Sequence, residues 1–417
     1  MIMEAIEIDL NPIKLSALDK SGWKTYRFDQ IAQNISERID PKNTNLDVYV
    51  GLEHIDSESI HIKRFGAPGD VSGQKLRFYE GDVIFGRRRA YQRKAGVAPC
   101  DGFCSAHALV LRANPEVICS ELFPFFLHSD LFMHRAIDIS VGSLSPTINW
   151  GTLREQAFLI PPIEQQKILI NLFESSSKNI LNRKRLFSSL TTFFKTERKY
   201  LVEKGVSKSK PSRSLRFGKF CQDWKVMKIG EFCKLVGGNA FKSSQFLDDG
   251  RNQVLRIGNL TEKGFDIVKS PVFLDRISAL EERYLIPEGA LVISLTGTNG
   301  KRDYGFPSLM EVDKKYLLNQ RLVMILVDQE IMTPEFLHLI SQMELFQGRF
   351  FLNATGTANQ ANVSISDVSE IEVPVPSLEE QNLIVKKMNL VRTAMNVNNV
   401  VLKNAECLNK ALINQVF

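Results

Sequence analysis

Ile160-Pro161-Pro162-Ile163-Glu164-Gln165-Gln166 returns further along the chain as Val375-Pro376-Ser377-Leu378-Glu379-Glu380-Gln381. Each copy opens a long stretch in which polar and apolar residues alternate at helical spacing. Upstream of each lies a strand-rich segment that starts at a tryptophan, Gly22-Trp23-Lys24 in one copy and Asp223-Trp224-Lys225 in the other. The chain is therefore an internal repeat. A duplicated unit predicts pseudo-two-fold symmetry, suited to two patches of a long symmetric partner such as duplex DNA.

The copies align between these landmarks. Tyr49-Val50-Gly51-Leu52-Glu53-His54-Ile55 faces Val254-Leu255-Arg256-Ile257-Gly258-Asn259-Leu260, and both read as a strand entering a polar turn. Glu80-Gly81-Asp82-Val83-Ile84-Phe85 faces Glu288-Gly289-Ala290-Leu291-Val292-Ile293-Ser294, a glycine turn feeding a buried strand. Ala108-Leu109-Val110-Leu111 faces Leu322-Val323-Met324-Ile325-Leu326 as another. Asn114-Pro115-Glu116 and Thr333-Pro334-Glu335 read as helix starts, a cap residue before proline. The first of these helices is expected to run from Glu121 to Ile137. Gly142–Ile148 faces Gly356–Val363, polar loops returning to a last strand. The offset grows from 201 at the tryptophans to 215 at the Pro/Glu-Gln motif, so the second copy has gained residues, and they fall in loops.

After each motif comes a long helix. Phe173, Ile180, Phe187, Phe194 and Leu201 recur every seven residues, and Gly205 is a natural stop. Ser377-Leu378-Glu379-Glu380 reads as a capping box. Ile384, Met388, Val391, Met395, Asn398, Leu402, Ala405, Asn409, Leu412 and Val416 then follow as a heptad seam. Each helix of about forty residues spans roughly 60 Å. So narrow an apolar stripe does not hold a lone helix together, so the two are expected to pair antiparallel, with Asn398 and Asn409 setting register. The fold class is α+β: two similar globular units of mixed strands and helices, separated by two long antiparallel helices forming a coiled coil.

At 417 residues the length suggests two or three domains. No apolar run reaches the eighteen or so residues of a membrane helix. The acidic start, Met1 to Asp9, lacks a basic region followed by an apolar core, so a cytoplasmic location is expected. Cys100 and Cys104 with His107 nearby invite a zinc reading, but no second ligand pair completes it, and free thiols are expected. The net charge of +6 is unevenly spread. Residues 183–219 carry twelve Lys/Arg against Glu197 and Glu203, and Arg87-Arg88-Arg89-Ala90-Tyr91-Gln92-Arg93-Lys94 has five positive charges and no acid. Clustered basic charge is the footprint of a polyanion binder. No phosphate loop, dinucleotide fingerprint, Asn-Pro-Pro-aromatic motif, His-Glu-x-x-His or nucleophile elbow is present.

The duplicated Pro-Pro-x-Glu-x-Gln helix start resembles the specificity subunits of Type I restriction–modification enzymes. So does Leu215-Arg216-Phe217-Gly218 leading to Asp223-Trp224-Lys225-Val226-Met227-Lys228-Ile229-Gly230-Glu231. Ser377 departs from the pattern, standing where the first copy has a second proline. The resemblance implies a first target-recognition domain at 1–162, a central spacer helix at 163–207 and a linker at 208–221. A second recognition domain at 222–376 and a C-terminal spacer helix at 377–417 complete it. Each domain would read one half of a bipartite site in double-stranded DNA. The helices would set the gap and dock two methylation subunits, with restriction/translocase subunits joining. S-adenosylmethionine, ATP and Mg would belong to those partners, leaving this chain without cofactor, metal or catalytic residues. Two other readings are a recognition part of a DNA methyltransferase/nuclease, which the missing cofactor motifs oppose, and a coiled-coil adaptor without DNA binding, which the basic clusters oppose.

Base edges are read by Arg, Asn, Gln, Ser and Thr, and phosphates by Lys, Arg and backbone N–H groups. In the first unit the candidates are Arg87, Arg88, Arg89, Tyr91, Gln92, Arg93 and Lys94, with Ser143, Ser145 and Thr147. In the second they are Thr296, Thr298, Asn299, Lys301, Arg302 and Tyr304, with Thr357, Asn359, Gln360 and Asn362.

Overall fold

The computed structural model describes residues 18–206, 211–311, 315–352, 354–356 and 359–417. The acidic start, Lys208 and Lys210 of the expected linker, and Thr357 lie outside the described residues. The chain forms two compact units. One comprises the described residues up to Phe187 together with Val397–Phe417, and the other is Ser188–Asn396.

In the first unit Lys24–Arg27 pairs antiparallel with Ala157–Ile160, which leads into the motif. An antiparallel sheet follows in the order Ala32–Ile35, Ala108–Ala113, Val83–Gly86, Ala95–Val97. Val83–Gly86 is buried throughout, which explains its unbroken apolar run. A second sheet runs Arg38–Ile39, Lys75–Phe78, Gly102–Cys104, Tyr49–Val50, with the last pair parallel. The core is built of phenylalanines. Phe28, Phe126, Phe132 and Phe158 meet with ring centroids 5.2–6.0 Å apart, largely tilted or edge-on, and Phe417 joins Phe126.

The second unit repeats this plan. Lys225–Lys228 pairs with Glu372–Val375. The main sheet runs Cys233–Gly237, Leu322–Val327, Leu291–Ser294, Pro307–Leu309, matching the first unit strand for strand. Asn252–Leu255 lies parallel to Tyr316–Leu318, as Tyr49–Val50 does to Gly102–Cys104. The polar turn after that strand is closed the same way twice: Gly51 N–H donates to His54 Nδ1 at 3.0 Å, and Arg256 N–H to Asn259 Oδ1 at 2.9 Å.

The two long helices span Ile163–Lys204 and Leu378–Val416, and each contributes to both units. In the first unit Phe173 shares the core with Leu412, Ile413 and Val416, while Arg183 meets Asn398, so the segments run antiparallel. In the second, Leu201 and Val202 share the core with Ile384 and Met388. Asn398 is buried and donates to Arg183 O at 3.0 Å, a register contact of the expected kind. Asn409 is different, because its buried side-chain oxygen has no partner among the described residues. The first helix stops where Gly205 takes φ +69°; a Cβ there would meet the Glu380 carboxylate at 2.5 Å.

Three local expectations change. The helix expected from Glu121 to Ile137 is two helices, Phe123–His128 and Asp130–Asp138. Ser129 between them is extended, and its hydroxyl accepts from Phe132 N–H. Asn114-Pro115-Glu116 starts no long helix, because the Asn114 amide donates to Gln30 O and its oxygen accepts from Glu116 N–H. The stretch read as a linker carries a hairpin, Ser212–Leu215 with Gly218–Cys221, anchored by buried Phe220 and Cys221.

Candidate nucleic-acid interface

The repeated motif faces inward. Gln166 is fully buried; its amide donates to Pro161 O and Val117 O, both at 2.8 Å, and accepts from Cys119 N–H at 2.7 Å. Gln381 does the same with Pro376 O and Ile331 O, both at 2.9 Å, and Thr333 N–H at 2.7 Å. The structural counterpart of Thr333 is therefore Cys119, not Asn114, and the sequence alignment slipped by five residues there. The repeated tryptophans are fixed by the preceding position: Trp23 Nε1 donates to Gln165 at 2.8 Å, Trp224 Nε1 to Glu380 at 3.0 Å. Glu380 also accepts from Val206 N–H just past the first helix. These residues lock each helix start to its globular unit.

The variable loops face outward, and each unit builds them alike. In the first, the chain leaving buried Val83–Gly86 runs beside the 141–147 loop. Ile148 N–H donates to Arg87 O, Arg89 N–H to Pro146 O, and Arg88 bridges Thr147. That loop is closed by reciprocal bonds between Val141 and Thr147. In the second unit Val363 N–H donates to Leu295 O, and Thr296-Gly297 pairs with Ala361-Asn362, which pairs in turn with Thr355-Gly356. Arg88 beside Thr147 thus occupies the place of Thr296 beside Asn362. Gly297 is required by closeness: a Cβ would stand 2.2 Å from the Tyr304 ring.

Within this frame the candidates divide. Arg88, Arg89, Tyr91 and Ser143 are exposed, Tyr91 by 56%, and Leu144 at the loop tip by 94%. Ser145 and Thr147 are half-buried, with Thr147 Oγ1 donating to Ser145 O. His107 is held below its usual pKa by burial, and then by Arg88, Arg87 and Lys75, which marks a positive field at this edge. Arg87 is half-buried with its Nε enclosed. Gln92 is tied through its carbonyl to Ser57, and Lys94 donates to Leu52 O at 2.6 Å. Arg93 is only 14% exposed and pairs with Asp130 at 2.6 Å and Glu58 at 3.3 Å.

In the second unit Thr296 donates to Asn362 at 2.8 Å, and Gln360 also donates to Asn362. Thr298 bonds Asp303 through both N–H and hydroxyl, which lowers the Asp303 pKa. Asn299, Lys301 and Asn359 are exposed. Arg302 pairs with both Glu344 oxygens at 2.8 and 3.0 Å and lies over Phe351. Tyr304 is 2% exposed and packs on Phe350 and Phe351. Sequence reading missed Asp130 and Glu344, each the first residue of a nine-residue helix and each holding a loop arginine. The signal for Asp130 was Ser129, a helix cap in front of an acidic first turn.

Much of the basic stretch 183–219 serves the fold. Lys184 pairs with Glu406, Arg198 donates to Gln342, and Arg213 donates to Trp224 O over the Phe220 ring. Among the described residues no three His, Cys, Asp or Glu side chains gather as metal ligands would. No described helix is long and apolar enough to cross a membrane.

Residues 222–403 match the family described as Type I restriction modification DNA specificity domain. The chain is 25% identical over 264 residues to the MjaVIII specificity subunit of a Type I restriction enzyme from Methanocaldococcus jannaschii. That match covers 61% of this chain and 60% of the relative, so it spans less than two thirds of that protein. The fold resembles a chain from structural work on complex assembly and conformational transition of the type I R-M system, with TM-score 0.58, 17% identity, and coverage of 94% and 97%. It also resembles the S subunit of a Type-I restriction-modification system from M. genitalium, with TM-score 0.54, 12% identity, and coverage of 96% and 98%.

Proposed function

We propose that the chain, which is similar to the specificity subunits of Type I restriction–modification systems, is the non-catalytic DNA reader of such a system. Each unit reads one half of a bipartite site in double-stranded DNA. The first recognition domain is assigned to 1–162 and the second to 222–376. The helical segments dock modification subunits, which bring S-adenosylmethionine, and restriction subunits bring ATP and Mg chemistry. Cytoplasmic DNA is the expected substrate.

The observation that carries this reading is the paired-loop edge. Equivalent antiparallel pairing places Arg88 beside Thr147 in one unit and Thr296 beside Asn362 in the other; Arg88 and Asn362 are exposed, while Thr296 is buried and donates to Asn362. Similar scaffolds, isolated bridges in one unit and a small sheet in the other, with unlike polar side chains suit two unlike half-sites. Arg88 and Arg89 are the outward cations of the first edge. Phosphate contacts would give affinity and salt dependence, base contacts the preference.

Arg88→Ala with Arg89→Ala is expected to weaken specific binding by the assembled complex. A lost bidentate base contact costs about 1–3 kcal/mol and relaxes one position of the site. A lost phosphate contact weakens all sequences alike and lowers the salt slope by about one. Titration of cognate and one-base-altered duplexes at several salt concentrations distinguishes these. Unchanged affinity and preference in the double variant would remove the cluster from the interface.

A further inference from the structure

Arg93 sits in the middle of a basic run, yet its side chain points into the fold. It ends the Ala90–Gln92 turn with φ 51°, and Arg89 opens that turn with φ 54°. Two left-handed non-glycine residues around three others make a strained loop that persists only when its surroundings hold it. Glu58 faces Arg93 and is also left-handed, with φ 56°. Glu58 N–H donates to Arg93 O at 3.1 Å, and Ser57 Oγ to Gln92 O at 2.7 Å.

The Arg93 guanidinium pairs with Asp130 at 2.6 Å, donates to His128 O at 2.6 Å, and lies 3.3 Å from Glu58 through an Nε that makes no hydrogen bond among the described residues, so the Glu58 contact is an ion pair alone. Both carboxylates continue to the C-terminal helix. Asp130 accepts from Asn414 Nδ2 at 2.6 Å, and its N–H donates to Asn414 Oδ1 at 2.8 Å. Glu58 accepts from Lys410 Nζ at 2.9 Å. Lys410 and Asn414 are four apart, so they share one helix face. Two routes therefore join the loop carrying Arg88 and Arg89 to one turn of a helix more than 300 residues later.

We propose that Arg93 is a positioning residue coupling the first recognition loop to the last turns of the C-terminal helix, so that Lys410 and Asn414 tune how the first half-site is read. The proposal rests on the reading of this unit as a DNA half-site reader. The second unit has only a local counterpart. Arg302 pairs with Glu344 at an exposure close to that of Lys410 with Glu58, so solvent screens both pairs; the first unit differs in continuing through the better-buried Arg93 and Asp130 to Asn414. The coupling is thus specific to the first half-site. Base readout tolerates misplacement of only about 0.5 Å, so loosening this network lowers discrimination before it lowers assembly.

The test uses the full chain with its modification subunits, in cells whose methylated DNA is sequenced. Lys410→Ala, Asn414→Ala and their double are compared with Lys403→Ala, which removes an exposed charge from the same helix. The readout is methylation at cognate sites relative to sites altered by one base in either half. The half read by the first unit is the one whose preference Arg88→Ala changes. The double variant is expected to lower discrimination in that half about three- to tenfold, with the other half and the Lys403→Ala control unchanged. Arg93→Lys, which keeps the charge, is expected to lose less than Arg93→Ala. Equal loss in both halves, lower total methylation with discrimination intact, or no change would overturn the coupling. Methylation by the parent complex with no sequence preference would overturn the underlying reading as well.

Discussion

Gln166→Ala is expected to destabilise the first unit by roughly 3–5 kcal/mol, among the largest effects of any single polar substitution here. The amide is fully buried and serves three backbone groups: Val117 O, Pro161 O and Cys119 N–H. Alanine leaves all three without a partner away from water, and each orphaned group costs about 1–3 kcal/mol. Gln381→Ala should do the same in the second unit through Ile331 O, Pro376 O and Thr333 N–H. Gln166→Glu separates the causes, since a carboxylate keeps the volume and the acceptor but cannot donate to two carbonyls. It should be nearly as damaging as alanine. Denaturant midpoints with unchanged m-values would report the loss. Either alanine variant lying within 1 kcal/mol of the parent would mean that the motif does not lock the helix start.

Acidification is expected to cost about 3 kcal/mol at each of two histidines between pH 6.5 and 4. His128 and His338 end or nearly end equivalent helices, and each bonds a strand carbonyl, Ala95 O at 2.8 Å and Pro307 O at 3.3 Å. Burial pushes both pKa values down to about 4, with Arg93 adding to the shift at His128, and Arg392 and Arg198 at His338. The unfolded chain takes up protons at these positions below pH 6.5, while the folded chain stays neutral until about pH 4. The unfolded state therefore binds more protons in that window. The stabilisation is complete above pH 6.5 and is lost as the pH falls toward 4. Melting temperatures from pH 7 to 4.5 would trace the slope. His128→Gln, which can still donate to Ala95 O, should remove about half of it. A flat profile between pH 7 and 5 would show that these rings are not buried neutral.

The repeated motif was legible in the sequence, but its role was not. Matching Pro/Glu-Gln stretches marked two equivalent helix starts without saying which way their side chains face. Gln166, Gln381, Trp23 and Trp224 bond within their own units. A glutamine reads as a surface residue until the backbone groups around it are known, because its burial depends on partners from distant segments. Basic clusters have the same ambiguity. Arg88 and Arg93 are five residues apart, yet one is exposed and the other clamps two carboxylates. Charge and spacing do not distinguish them. The Ala90–Gln92 turn, flanked by left-handed Arg89 and Arg93, turns the chain over, and no glycine announces it.

What the amino-acid sequence determined by itself was the repeat, the order of its strands and the two long helices. Those follow from periodicity and capping, which act over a few residues and are written locally. Tertiary structure decided which candidates face outward, where the Asn114 alignment slips, and that the end of the C-terminal helix belongs with the first unit. Each of these depends on contacts between residues far apart in the chain, such as Asn414 with Asp130 or Gln166 with Cys119. Such pairings are chosen by the satisfaction of buried polar groups in three dimensions, and local residue patterns do not encode them.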